Sequence, residues 1–113
     1  LLACRNVVEV WVPDERTEAA RDLSRALEDA RDDLQRARQR MSKFLLRHGL
    51  VFDETTPTGR RRSNWTEAYW RWARSIEFDE ADDAAAYEHY TDAVDRCGEA
   101  KRELERRVVV FFQ

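Results

Sequence analysis

The sequence predicts an all-α protein, in which two long helices form an antiparallel coiled-coil hairpin with a short helix at its tip and one short strand before it. Charged residues make up 38% of the 113-residue chain, which has only three glycines and two prolines. This composition is typical of long helices that bury one stripe on each other. Apolar residues also recur at alternating spacings of three and four in two separate segments, which is the period of a coiled coil.

Residues 6–12 are the segment that favours a strand. They are rich in β-branched and aromatic residues, and they end at Pro13, which cannot continue a ladder. A single strand needs partners. We therefore expect residues 1–13 to be the end of an upstream domain, and the start at Leu1 instead of Met suggests the same. The coiled-coil hairpin domain is then predicted to occupy residues 14–113.

The first long helix is predicted for residues 14–48. Asp14 is suited to cap its first turn, and Gly49 is suited to a left-handed C-cap with Leu50 folding back on Leu45. The small alanines in the seam allow a second helix to approach closely, but they bury little area, so this helix needs a partner. Its predicted seam is formed by Leu23, Leu27, Ala30, Leu34, Ala37, Met41 and Phe44.

A short helix and a second long helix follow. Residues 50–63 contain Pro57 and Gly59 and predict a cationic loop. Asn64 followed by Glu67 resembles a capping box and predicts a helix over residues 65–76. The second long helix is predicted for residues 80–112, with Asp79 as its N-cap.

The seam of the second long helix includes Val94 and Leu104, and Lys101 interrupts it. A polar residue at a seam position weakens packing but restricts the register. Two such hairpins in a closed four-helix arrangement would bury their seams better than one hairpin could. We therefore expect a homodimer.

The charges are segregated along the chain. The net charge is −3, but residues 36–76 carry ten cations against three carboxylates, a net of +7, whereas residues 77–95 carry eight carboxylates and no lysine or arginine. Clustered cations favour contact with nucleic-acid phosphates, and aromatic side chains can stack on unpaired bases. The alternative is that the aromatic residues pack the hairpin tip and the arginines are simply solvated. The candidate nucleic-acid-binding residues are Lys43, Arg47, Arg60, Arg61, Arg62, Trp70, Arg71 and Arg74.

Other classes of site receive little support. Cys4 and Cys97 stand outside any Cys/His ligand spacing, so neither a zinc site nor a disulfide framework is indicated. No cofactor or metal is expected in this chain, and the acidic run has no defined ligand pattern. No apolar run approaches the roughly 20 residues that span a bilayer. We therefore expect a cytoplasmic protein without a membrane partner.

Several segments, in this order, resemble the middle of a bacterial transposase family. They are residues 10–15 (VWVPDE), residues 36–49 (RARQRMSKFLLRHG), Trp65-Thr66-Glu67-Ala68, Arg71-Trp72 and Phe78-Asp79. The family is that of the DEDD-type insertion-sequence transposases with a RuvC-like amino-terminal domain, the bridge-RNA-guided recombinases. The resemblance covers most of residues 1–94.

This resemblance implies a role in DNA transposition without catalytic residues in this chain. The family's acidic residues, which bind a divalent metal such as magnesium, and its nucleophilic serine correspond to positions outside the sequence. The segment would be the coiled coil that assembles protomers and positions guide RNA and DNA, and residues 1–13 would end the RuvC-like domain. By itself it should be inactive. The alternative is a free-standing helical dimerisation or adaptor protein with no catalytic parent, such as a toxin–antitoxin-like regulator.

Overall fold

A computed structural model describes residues 14–53, 59 and 64–113, in which the chain forms three helices and no strand. They are α1 (Glu15–Arg47), α2 (Glu67–Ser75) and α3 (Ala81–Phe111). The two long helices pack against each other as a hairpin, which confirms the predicted all-α class. The strand predicted for residues 6–12 lies outside the described residues.

Two contacts show that α1 and α3 run antiparallel. The Arg16 guanidinium donates a 2.6 Å hydrogen bond to the backbone carbonyl of Phe111, at the open end of the hairpin. At the other end, the rings of Phe44 and Tyr87 stack with centroids 5.9 Å apart. The start of α1 therefore lies beside the end of α3, and the helix α2 sits at the tip.

The ends of α1 follow from local sequence. The Asp14 carboxylate accepts a 2.8 Å hydrogen bond from the backbone N–H of Thr17, and this bond is the main reason why the pKa of Asp14 lies below its ordinary value. At the other end, the N–H groups of Gly49 and Leu50 donate to the carbonyls of Leu46 and Leu45. These two bonds form a Schellman motif, for which Gly49 supplies the positive φ of 73°.

The structure corrects the predicted start of the short helix. Thr66, and not Asn64, is the N-cap, and its hydroxyl accepts from the N–H of Tyr69 at 3.3 Å. The reason is that Trp65 has a φ of 71°, a left-handed conformation that cannot belong to a right-handed helix. The N-cap of α3 is also shifted by one residue, from Asp79 to Glu80, which makes no side-chain capping bond.

The core is a stripe along the hairpin that widens at the tip. Leu27, Ala30, Leu34, Ala37, Met41 and Phe44 are all buried, whereas Leu23 is half-buried. On α3, Val94 is buried but Leu104 is half-buried, because the apolar layers become sparse toward the open end. The seam assigned from sequence is thus deepest near the tip.

The structure changes the argument for a dimer. Ala30 and Ala37 are only 7% and 4% exposed within one chain. Two hairpins were expected to bury the seam better than one, but α3 of the same chain already covers these small layers. The homodimer itself stays a prediction, and it needs a different surface.

Candidate nucleic-acid interface

An aromatic cluster fixes α2 on the tip of the hairpin. Tyr69 is the centre of this cluster and is 2% exposed. The ring of Phe52 meets the rings of Tyr69 and Trp72 at centroid distances of 5.4 and 5.5 Å. Phe52 comes just after the Schellman motif, so the chain that leaves α1 packs directly against α2. Side chains on α2 are therefore held in fixed positions.

A buried hydrogen bond joins α2 to α3. The Tyr87 hydroxyl donates to the backbone carbonyl of Ala73 at 2.6 Å. Burial, followed by repulsion from Tyr69 and opposed by the positive charge of Arg74, raises the pKa of Tyr87 to about 12. Tyr87 is therefore a neutral structural donor at physiological pH and has no acid–base role there.

Four exposed cations form a basic stripe on α1, defined here as Arg36, Arg40, Lys43 and Arg47. Their spacings of four, three and four place them on one helix face. Among the described residues, Arg36 is the member with an ion pair, 3.3 Å from Asp33. The guanidinium of Arg47 also lies 6.0 Å from the ring centroid of Phe44. The stripe presents positive charge to solvent along about three turns of helix.

The α2 residues predicted to contact nucleic acid lie in a different setting. Arg71 is exposed. Arg74 pairs with Asp95 of α3 at 3.6 Å and lies over the Trp70 ring at 4.7 Å. Trp70 is half-buried and contacts the rings of Trp65 and Tyr69. The ring of Trp70 thus takes part in tip packing, which is the alternative considered from sequence.

The predicted residues are only partly brought together. Lys43 and Arg47 share the basic stripe, whereas Arg71 and Arg74 lie on α2. Arg60, Arg61 and Arg62 lie outside the described residues. The role of all eight residues in nucleic-acid binding stays a prediction.

The structure adds a groove that the sequence did not indicate, which we call the Trp65 groove. It has a volume of about 370 Å³ and lies between α1 and Trp65. The guanidinium of Arg38 lies over the Trp65 ring at 5.2 Å from its centroid. The groove is lined by Gln35, Arg38, Gln39, Ser42, Lys43 and Trp65. The spacing of Gln35 and Gln39 was visible in the sequence, but the position of Trp65 beside them was not.

A second cavity, of about 510 Å³, lies between α2 and α3. Its lining includes Ala73, Phe78 and Tyr87, the carboxylates of Glu77, Glu88, Asp92 and Asp95, and the guanidinium of Arg74. His48 lies near this end, 3.9 Å from Asp83 and against the rings of Phe44 and Phe78. The lining of this cavity thus has a negative net charge, whereas the basic stripe on α1 is positive.

Within residues 14–53, 59 and 64–113 there is no group of three or more His, Cys, Asp or Glu side chains that could hold a metal ion. No helix in the same part of the chain is long and apolar enough to cross a membrane.

Comparison with known proteins gives two relatives. A protein of Sinorhizobium fredii named "Putative transposase y4qE" is 40% identical over 79 residues, which are 70% of this chain and 18% of that protein. The "Transposase for insertion sequence element IS1533" of Leptospira borgpetersenii is 35% identical over 71 residues, 63% of this chain and 19% of that protein. The matched part thus spans about a fifth of the length of each relative.

No family profile and no solved structure matches the chain. The chain is thus similar in sequence to two proteins named as transposases, one of them for an insertion sequence element.

Proposed function

We propose that the chain is an internal coiled-coil segment of a DNA transposase, which assembles protomers and positions guide RNA and DNA during transposition. The parent would be of the DEDD type, with a RuvC-like domain and a bridge RNA. The divalent metal and the nucleophilic serine would be bound or carried outside this chain. The similarity to two proteins named transposases supports the transposase part of this proposal.

The observation that supports the nucleic-acid part is the basic stripe. Its four cations are exposed, and among the described residues only Arg36 has a carboxylate partner. When an exposed lysine or arginine contacts a phosphate, the counterions condensed on the nucleic acid are released. This release favours binding without sequence preference. The net negative charge of the cavity between α2 and α3 would keep the nucleic acid on the α1 side, and Arg74, which is paired with Asp95 there, would contribute least.

Salt-dependent binding tests this part. The chain should bind a structured RNA at low salt, with an affinity measured by fluorescence anisotropy that falls steeply as salt rises. The slope of the logarithm of the binding constant against the logarithm of the salt concentration should become less negative by up to about two in the double variant Arg40→Ala/Lys43→Ala, since this variant removes two phosphate contacts.

The control is Arg102→Ala/Arg107→Ala, which removes the same formal charge from exposed positions on α3, away from the tip; unlike Arg40 and Lys43 in the described part of the chain, Arg102 is ion-paired, 2.7 Å from Glu99. If the control lowers the slope as much as the stripe variant does, binding reflects net charge and the stripe has no special role. If the native chain does not bind RNA at low salt, the nucleic-acid part of the proposal is wrong.

Protomer assembly would use a second groove, between the middles of α1 and α3. This groove of about 390 Å³ is lined by Ala26, Asp29, Ala30, Asp33, Arg96, Cys97, Ala100 and Leu104. The open end of the hairpin also exposes the apolar side chains of Val109, Val110 and Phe112, which a second copy could cover. Burying such apolar area favours association.

Light scattering coupled to size exclusion should report a dimer for the native chain. Ala100→Glu places a charge on an exposed edge of the groove, so the variant should be a helical monomer. In contrast, Leu27→Asp should unfold the chain, because Leu27 is buried within the hairpin itself. A native chain that is monomeric at high concentration would exclude assembly through this segment and leave only the nucleic-acid role.

A further inference from the structure

We infer that the Trp65 groove binds an unpaired nucleobase of a nucleic-acid strand whose phosphates lie on the basic stripe. The inference rests on the proposed nucleic-acid role and adds a site that contacts the base. Its ligand class follows from three properties of the groove, which are its planar cation, its paired amides and its position beside free positive charge.

The first property is the state of Arg38. Burial lowers the pKa of Arg38 below its ordinary value, and its Nε atom is buried without a hydrogen-bond partner in the described part of the chain. The guanidinium carbon lies 5.2 Å from the centroid of the Trp65 ring. A guanidinium and an indole side by side offer planar surfaces on which a nucleobase can stack, and the terminal N–H groups of the guanidinium can donate to it.

The second property is the pair of amides on α1. Gln35 and Gln39 are one helical turn apart, both exposed, and both line the groove. An amide both donates and accepts, which matches the mixed donor and acceptor edge of a base. A groove meant only for phosphate would need no acceptors.

The third property is the position of the groove, whose anchored walls adjoin the positive charge of the basic stripe. Trp65 has a φ of 71°, which is a strained conformation for a bulky residue, and its ring packs on Tyr69 at 4.6 Å. Ser42 is held on the other side by a hydrogen bond with the Tyr69 side chain. Lys43 belongs to both the groove and the basic stripe. A strand lying on the stripe would thus bring its bases to the groove mouth.

The volume is suited to one base. At about 370 Å³, the groove lies at the lower end of the roughly 300–1,000 Å³ that is usual for small-ligand sites. It is too small for a duplex, so the base must come from a single strand or a loop. Recognition of this kind is common for unpaired RNA and single-stranded DNA.

The test compares two strands that carry the same phosphates. Fluorescence anisotropy at low salt is measured with a short oligothymidylate and with an abasic strand of equal length. We expect the strand with bases to bind about tenfold more tightly to the native chain, as one stacked base provides. Gln35→Ala/Gln39→Ala and Arg38→Lys should both lose this preference while binding the abasic strand unchanged, because neither alters the net charge.

Equal binding of the two strands by the native chain would overturn the base site while leaving the phosphate stripe intact. A preference that persists in both variants would place the base elsewhere and also overturn it. If neither strand binds, the proposed nucleic-acid role fails together with this site.

Discussion

Replacing Tyr87 by Phe should loosen the attachment of α2 to the hairpin without removing any ring contact. The variant loses one buried hydrogen bond of 2.6 Å to the carbonyl of Ala73. That carbonyl keeps a second, longer contact with the N–H of Ile76 at 3.4 Å, so it is not left wholly without a donor. We therefore expect a loss of about 1 kcal/mol in the free energy of unfolding, at the low end for an unpaired buried acceptor.

The pH dependence of this loss is a sharper test than its size. Because the pKa of Tyr87 is raised to about 12 in the folded chain from about 10 in an unfolded one, its contribution is complete below pH 10. The contribution is lost as pH rises from 10 through 12, since the unfolded state releases the proton first. At pH 11 the native chain should have lost roughly 1 kcal/mol on this account, which the Phe variant cannot lose.

Urea denaturation followed by circular dichroism at pH 8 and pH 11 measures both effects. The native chain should be the more stable at pH 8, and the difference should shrink toward zero at pH 11. Tyr90→Phe is the matched control, because Tyr90 is a half-buried neighbour on α3 whose ring lies tilted against Phe44, with centroids 5.3 Å apart. An equal stability difference at both pH values would refute the assignment of Tyr87 as a buried donor to α2.

Three further substitutions test the helices themselves. Gly98→Ala should raise the free energy of unfolding by about 0.5–1 kcal/mol, because a Cβ there would meet only the Arg102 side chain at 3.6 Å. Thermal denaturation should show a higher Tm for this variant. A lower Tm would mean that a methyl group at this position does not fit against α1. Gly49→Ala should lower the free energy of unfolding by about 1 kcal/mol in the same assay. A Cβ there would meet no other atom, but the φ of +73° is strained for any residue with a side chain. An unchanged Tm would argue against the Schellman motif at the end of α1. Met41→Ala should cost about 2–4 kcal/mol in urea denaturation, because Met41 is fully buried, and a cost under 1 kcal/mol would show that the tip collapses around the cavity.

The long helices and their seam could be predicted from the sequence alone, because the signals that specify them are local. The carboxylate of Asp14 and the positive φ of Gly49 act within one turn of the ends of α1. The seam of Leu27, Leu34 and Met41 follows from a helical period that depends on no distant residue. The fold class followed from the same local patterns.

The tip was decided only by tertiary structure. Ala73 is fully buried, but its sequence context does not distinguish it from a surface alanine; it is covered because Tyr87 of α3 reaches its carbonyl. The N-cap of α2 is Thr66 and not the predicted Asn64, because Trp65 has a left-handed conformation and packs against Arg38 of α1. Contacts between segments this far apart leave no period in the sequence, so neither the orientation of α2 nor the groove beside Arg38 could be predicted before α1, α2 and α3 were brought together.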